Sequence, residues 1–373
     1  MKKNISIIGM GYLGGSLGLA LKKNFSGTVV TGIDKGSILI RAENVGAIDK
    51  GCIYTEMEEG LKGADVVFVV APITTTIDII PKIAAAVDER AVVSDTAFTK
   101  VQIMQTAQRY FTKGAVFIGG HPIVGYEKGE IEEADPYIFA GRTYALTPPE
   151  GCRAASLETL QNLVSGIGSR VVTGTPEEHD EIFGRINQLL QLIAMAHVNT
   201  VFSGIEGRKR DMTLAYSEER FRRFVQELLT PYYVWDEIFS SNHGLLKRHV
   251  DDFIRELRRI TGTVGTDRFV SEYEKMSDYL RDVPFNAKGF EGDLFHLFIT
   301  IKDEPGAIAR LVSFLAEGKF EIRDIELVKI KEGEAGTLRV SFSSQNIASR
   351  AGRFLVKSGY GCRTQYEYKD FYY

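Results

Sequence analysis

The chain is short of the features that mark several protein classes. Its 373 residues include only three cysteines, one tryptophan and ten prolines. Cys52, Cys152 and Cys362 lie far apart and form neither a CxxC pair nor a His/Cys metal pattern. That argues against a disulfide scaffold and a zinc module. Three reduced, buried thiols of a cytoplasmic protein are expected instead, with no metal. Charge of one sign is lacking too. Lys and Arg number 45 against 49 Asp and Glu, a net of −4, which offers no basic surface for nucleic acid and no acidic tail. No apolar run approaches the ~20 residues of a membrane span. Met1-Lys2-Lys3 leads straight into a strand pattern, so no signal peptide is expected. What remains is an ordinary globular composition, 44% apolar and 25% charged, on a chain long enough for two or three domains.

Three kinds of patterning divide it. Up to residue 172, short apolar runs alternate with helical patterns: Ile5–Ile8, Val29–Ile33, Val66–Ala71, Ala91–Ser94 and Val116–Ile118. Continuous Val- and Ile-rich runs read as parallel strands covered on both faces, and their alternation with helices predicts a doubly wound α/β domain. Residues 173–286 predict an all-helical domain, with helices over Glu177–Gly204, Ser217–Leu229 and Val234–Arg259. Ile182, Ile186, Leu189, Leu190, Ile193 and Met195 make one segment apolar over most of its width, as at a dimer interface. Residues 292–373 give a βαββαβ order, which is ferredoxin-like.

Gly9-Met10-Gly11-Tyr12-Leu13-Gly14 follows the first strand and opens a helix. The first glycine permits a tight turn, the second lets the backbone approach a pyrophosphate, and the third lets the helix pack on the sheet. Free N–H groups at the helix start then favour phosphates. Asp34 stands at the end of the second strand, twenty residues past Gly14. A carboxylate there accepts from a ribose 2′-hydroxyl and repels a 2′-phosphate, which favours NAD over NADP. Ala71-Pro72 ends the fourth strand at the edge where such a ligand would lie. Gly119-Gly120-His121-Pro122 follows directly on the strand Val116–Ile118, and His121 has a side chain whose ordinary pKa suits a general base.

The run Gly119-Gly120-His121-Pro122-Ile123-Val124-Gly125-Tyr126-Glu127, with Gly129, Phe139-Ala140-Gly141 and Leu146-Thr147-Pro148, resembles the prephenate dehydrogenase signature. Gly9–Leu17, Ser94-Asp95 with Lys100, His179-Asp180, and Trp235-Asp236-Glu237-Ile238 with Asn242 are similar as well. The resemblance spans about residues 4–260. It implies a cytoplasmic homodimer that oxidises prephenate to 4-hydroxyphenylpyruvate with NAD, on the way to tyrosine, with His121 as the base. It also implies a cofactor site drawing on Gly9, Gly11, Tyr12, Leu13, Gly14, Asp34, Ala71, Pro72, Asp95 and Lys100. Substrate contacts fall to Tyr126, Glu127, Asn187, Gln191, Arg220, Arg222 and Trp235.

Three matched positions depart from the family. Phe98 stands where Ser is usual, Gln191 replaces a substrate-binding His, and Asp211-Met212-Thr213-Leu214 lacks the Arg of an Asp-x-Thr-Arg motif. Arg220 or Arg222 could replace that Arg. Two further readings therefore stand beside the first: a dehydrogenase of arogenate or an amino-substituted prephenate, and a non-catalytic regulator that binds NAD and an amino acid. Downstream, Ile299-Thr300-Ile301-Lys302-Asp303-Glu304-Pro305-Gly306-Ala307-Ile308 with Gly336-Thr337-Leu338-Arg339-Val340 resembles an ACT domain. That resemblance implies amino-acid binding at Asp303, Pro305 and Gly306, with tyrosine as effector. The Asn frequent in ACT domains is not evident near Glu321, Arg323 and Asp324.

Overall fold

A computed structural model describes residues 3–125, 129–280, 293–331 and 335–364. Tyr126 and Glu127 lie outside the described residues. The chain forms two compact units, 1–282 and 283–373.

The first unit carries one eight-stranded sheet: β1 (Asn4–Ile8), β2 (Val29–Asp34), β3 (Lys50–Ile53), β4 (Val66–Val69), β5 (Val92–Asp95), β6 (Val116–Pro122), β7 (Thr143–Thr147) and β8 (Arg170–Thr173). Their order is β3-β2-β1-β4-β5-β6-β7-β8. The pairs from β3 through β6 are parallel, which is the dinucleotide-binding arrangement with its chain reversal between β1 and β4. Helices α1 (Tyr12–Asn24), α2 (Gly36–Asn44), α3 (Met57–Leu61), α4 (Ile73–Ala86), α5 (Val101–Tyr110) and α6 (Ala154–Gly166) connect the strands. All four side chains of β4 are buried, as a strand between two helical layers requires.

β6 runs beyond the expected end at Ile118, through His121 to Pro122. The cause is β7, which pairs antiparallel with it, Ala145 opposite His121. Strands β3, β7 and β8 were not expected. β3 and β8 are edge strands with mostly exposed side chains, so they lack the continuous apolar signal of a central strand.

Helical structure begins at Thr175, whose side chain accepts from the Glu178 N–H in a capping box with Pro176 at the first turn. The segment read as one long helix is α7 (Pro176–Phe183), a π-turn (Gly184–Gln188) and α8 (Leu189–Phe202). Then come α9 (Gly207–Tyr216), α10 (Glu219–Val225), α11 (Tyr232–Thr261) and α12 (Asp267–Tyr279). Ser217–Leu229 is therefore not one helix: α10 is short and passes into a 3₁₀ turn at Gln226–Leu229. α11 is broken locally at Asn242, with φ −124° and ψ 15°. Trp235 and Ile238 on α11 join the same core cluster as Ile8, Ile73 and Ala97, so this helix is anchored on the α/β layers.

The second unit pairs β9 (Phe295–Lys302), β10 (Asp324–Lys331), β11 (Ala335–Phe342) and β12 (Gly361–Thr364) in an antiparallel sheet, ordered β10-β11-β9-β12. α13 (Ala307–Glu317) and α14 (Gln345–Lys357) complete it. Its own core gathers Leu297, Ile299, Leu311, Leu315, Leu338, Val340 and Leu355. The three cysteines, expected to be buried, are each only half-buried.

Candidate active site

The turn after β1 has the geometry its glycines require. Gly9 adopts φ +95°, and a Cβ there would lie 2.0 Å from the Val70 carbonyl oxygen. A Cβ on Gly14 would lie 1.9 Å from the Gly9 carbonyl oxygen, whereas one on Gly11 would meet only open space. That opening, at a helix start with no side-chain cap, leaves N–H groups free for an anion. Asp34 is buried and oriented: its carboxylate accepts from the N–H of Met10 and of Lys35, both at 2.6 Å. Burial and Asp34 together push the Tyr54 hydroxyl up to about 12.

A cavity of about 280 Å³ opens beside this turn, lined by Leu13, Ala71, Pro72, Phe98, Tyr233 and Glu237 among others. Glu237, on α11, accepts from the Thr74 N–H at 3.3 Å and from the Thr74 hydroxyl at the start of α4. Helical and α/β layers thus meet at the cavity.

His121 is buried, only 1% exposed. Its ring packs against Phe98 at 5.2 Å and edge-on to Phe183 at 4.6 Å between centroids. Phe98 belongs both to the cavity wall and to this packing. The imidazole therefore sits behind an aromatic screen rather than bare at the strand tip. Its Nδ1 lies 2.9 Å from Nε2 of His179, whose Nδ1 lies 2.8 Å from Oδ1 of Asp180. Burial, then His179 and Lys100, hold the His121 pKa well below its ordinary value, so the ring is neutral near pH 7.

Asp95 and Lys100, expected at the cofactor, have another place. Both side chains are fully buried and paired with each other. Lys100 Nζ also donates to the Gly120 carbonyl at 2.7 Å, and the Gly120 N–H donates to Asp95 Oδ1 at 3.0 Å. The pair clamps the peptide preceding His121 and presents no polar atom to a cleft. Burial draws the Lys100 pKa down while Asp95 opposes that. A Cβ on Gly120 would stand 2.5 Å from the Asp95 carbonyl oxygen, so glycine is what lets β6 approach β5 this closely.

The remaining positions divide. Gln191 is buried and donates to the Glu227 carbonyl at 3.3 Å. Trp235 is buried and stacks on Phe239, and its Nε1 has no hydrogen-bond partner among the described residues. Asn187 Oδ1 is likewise buried without one. Arg220 and Arg222 are exposed, and Arg222 Nε donates to the Ser217 carbonyl. In the second unit, Asp303, Pro305 and Gly306 form an exposed turn in which Gly306, at φ +81°, caps α13.

Sequence reasoning gave no role to His179, Asp180 or Gln188. Gln188 is fully buried; its Oε1 accepts from Asn242 at 2.9 Å, while its Nε2 has no partner among the described residues. A signal for the first two was present: a His-Asp pair directly behind the capping sequence Thr175-Pro176-Glu177-Glu178.

Comparison with known proteins agrees with this geometry. Residues 17–173 match the family model described as prephenate dehydrogenase, nucleotide-binding domain, and residues 175–282 match prephenate dehydrogenase, dimerization domain. The prephenate dehydrogenase of Bacillus subtilis is 26% identical over 377 residues, covering 100% of this chain and 99% of that protein. That of Lactococcus lactis is 24% identical over 361 residues, covering 95% and 98%. Among solved structures, prephenate dehydrogenase from Aquifex aeolicus, in complex with hydroxyphenyl propionate and NAD+, superposes with a TM-score of 0.67. It is 25% identical and covers 75% of this chain and 98% of its own. With both domain models matched in sequence order over a dinucleotide-binding sheet and its helical partner, the chain belongs to the prephenate dehydrogenase family.

Proposed function

We propose that this protein is an NAD-dependent oxidoreductase that converts prephenate to 4-hydroxyphenylpyruvate and carbon dioxide, a step of tyrosine biosynthesis in the cytoplasm. The observation that carries this reading is the neutral, buried imidazole of His121 at the end of β6, packed on Phe98, which lines the cavity beside the glycine turn. The residues present fit the cofactor: Gly11 leaves space for a pyrophosphate, the start of α1 supplies N–H groups, and Asp34 is held ready for a ribose hydroxyl. When bound, NAD supplies the hydride acceptor.

His121 takes the proton of the ring hydroxyl as hydride leaves the same carbon. The ring carboxylate then departs as carbon dioxide and the ring becomes aromatic, which supplies the driving force. Phe98 and Phe183 keep water from the base. Asn187, Gln191 and Trp235 are the substrate-side groups of the helical layer. Tyr126, Arg220 and Arg222 complete the candidates for holding the two carboxylates, and Glu127 is a further candidate for substrate contact. The exposed apolar face of α7 and α8 is the homodimer contact. The second unit is a ferredoxin-like ACT module whose Asp303-Glu304-Pro305-Gly306 turn takes tyrosine.

One observation favours a second substrate. Among the described residues lining the cavity, Glu237 is the only charged one, and a carboxylate suits the ammonium of arogenate better than a keto acid. A panel of prephenate, arogenate and aminodeoxyprephenate with NAD or NADP decides. Turnover of prephenate with NAD is expected, and His121→Asn is expected to lower kcat by about 10²–10⁴. Tight NAD binding without turnover of any of the three would instead make the protein a regulator.

A further inference from the structure

The hydrogen bonds behind His121 form a chain that ends on a carboxylate. Asp180 Oδ1 accepts from the Lys100 N–H at 2.8 Å, and Oδ2 accepts from the Val101 N–H at 2.9 Å. The donors are the N-cap residue and the first residue of α5, where a carboxylate is favoured by the free N–H groups and the helix dipole. Asp180 is 2% exposed, and a carboxylate so placed is an acceptor only. His179 Nδ1, 2.8 Å from Oδ1, must therefore carry a hydrogen. With that as its single ring hydrogen, His179 has a bare Nε2, which can only accept. The group facing it at 2.9 Å is His121 Nδ1, and that nitrogen must donate. A neutral His121 with hydrogen on Nδ1 has its lone pair on Nε2, a nitrogen with no hydrogen-bond partner among the described residues.

We propose that His179, oriented by Asp180, is a positioning residue that fixes His121 in the Nδ1–H tautomer and so makes Nε2 the proton-accepting atom. The inference rests on His121 being the base of the proposed reaction. Three further contacts fix the chain of rings. His179 stacks on Phe183, with 5.7 Å between centroids and 16° between planes, and Phe183 meets His121 edge-on. The Asn242 side-chain amide reaches the Asp180 carbonyl at 3.5 Å. In this protein the Ser usual in the family is Phe98, which packs on His121 and has no polar side-chain atom to offer it. Orientation of the imidazole thus falls to the His179 side. When His121 accepts a proton at Nε2, the positive charge on the ring faces the His179–Asp180 pair, whose carboxylate stabilises it. In a Ser-His-Asp triad the same wiring fixes the tautomer, and replacing the Asp by Asn costs about 10⁴ in kcat.

The test reads the tautomer directly. Two-bond ¹H–¹⁵N correlation on the full chain labelled with ¹⁵N-histidine, with His121 assigned by its loss in His121→Asn, is expected to show hydrogen on Nδ1 of both His121 and His179. Hydrogen on Nε2 of neutral His121 would overturn the proposal, whether or not prephenate is turned over. If the tautomer is as expected but no substrate reacts, the proposed function fails and the wiring stands. Kinetics supply the second arm. His179→Gln retains an acceptor oxygen and should keep the Nδ1–H signature, with kcat within about tenfold of the parent. His179→Leu removes the acceptor and should lose about 10²–10⁴ in kcat with little change in KM. Equal losses in the two variants, both folded, would reduce His179 to a packing residue and sink the proposal. Should the Leu variant not fold, the tautomer in the parent and in His179→Gln decides.

Discussion

The nucleotide-binding half and the helical half of the first unit contain equally apolar segments and bury them very differently. In β4, Val66, Val67, Phe68 and Val69 are all 0% exposed. In α7 to α8, Ile182, Ile186, Leu190 and Met195 are 58%, 60%, 52% and 49% exposed. A strand between two helical layers finds its cover within its own chain. A helix apolar over most of its circumference has only one face turned to that chain, so the other face must meet something else. Hydrophobic pattern says that a side chain will be covered; it does not say by which molecule. The family model over this half is described as a dimerization domain, which agrees with the second case.

The sharpest way to test that contrast is to cut the core of the first half. Phe68 has 0% exposure and belongs to the principal cluster with Ile5, Ile7, Val30 and Ile118. Phe68→Ala leaves a cavity among side chains that cannot collapse freely, and should cost about 3–5 kcal/mol. Urea denaturation would show a lower midpoint at unchanged slope. A loss below about 1 kcal/mol would mean that this core is far looser than its burial indicates.

A change in the other half should act on association instead. Ile186→Lys combined with Leu190→Lys places two charges on the exposed face of the π-turn and α8. If that face pairs with a second copy, the dimer dissociation constant should rise by at least about 100-fold, or about 2.7 kcal/mol. Sedimentation would detect it, while far-UV circular dichroism stays unchanged. A parent protein that sediments as a monomer at micromolar concentration would break the comparison outright.

The same contrast explains what could be seen in the sequence. Gly9, Gly11, Gly14 and Asp34 were legible because each acts locally, through backbone space or one hydrogen-bonding step along a strand. The central strands were legible because burial on both faces forces continuous apolar runs. β3 and β8 were not, since an edge strand needs neither. Asp95 and Lys100 were legible as residues but not as a pair: a motif fixes residue identity, and only the fold shows that the two side chains are buried against each other. His179 and Asp180 were visible and had no role, because their partner is 58 positions away in sequence and the direction of the hydrogen bonds exists only in three dimensions. Phe98 was read as a lost polar contact. Its gain, an aromatic cover on His121, required the ring positions.

The smallest effect expected lies where the two halves meet, at His121. An unfolded chain binds a proton at this residue near its ordinary value of 6.5, whereas the folded site holds the pKa well below that, through burial first, then His179 and Lys100. Asp180 and Asp95 also stand around the site, each already engaged by backbone N–H groups. Between 6.5 and the lowered folded value, the unfolded state therefore carries more protons, so stability falls as pH falls through that window and the loss levels off below it. His121→Asn removes the titrating group and should flatten this part of the profile, leaving a shallower fall in denaturation midpoint from pH 7 to pH 5 than in the parent. The difference belongs to one side chain and should be smaller than the loss from Phe68→Ala. Parallel profiles for the two proteins would mean that His121 accepts a proton as readily in the folded site as in the unfolded chain. The imidazole would then not be shielded by Phe98 and Phe183, and the division between a closed core and an open helical face would not extend to the residue between them.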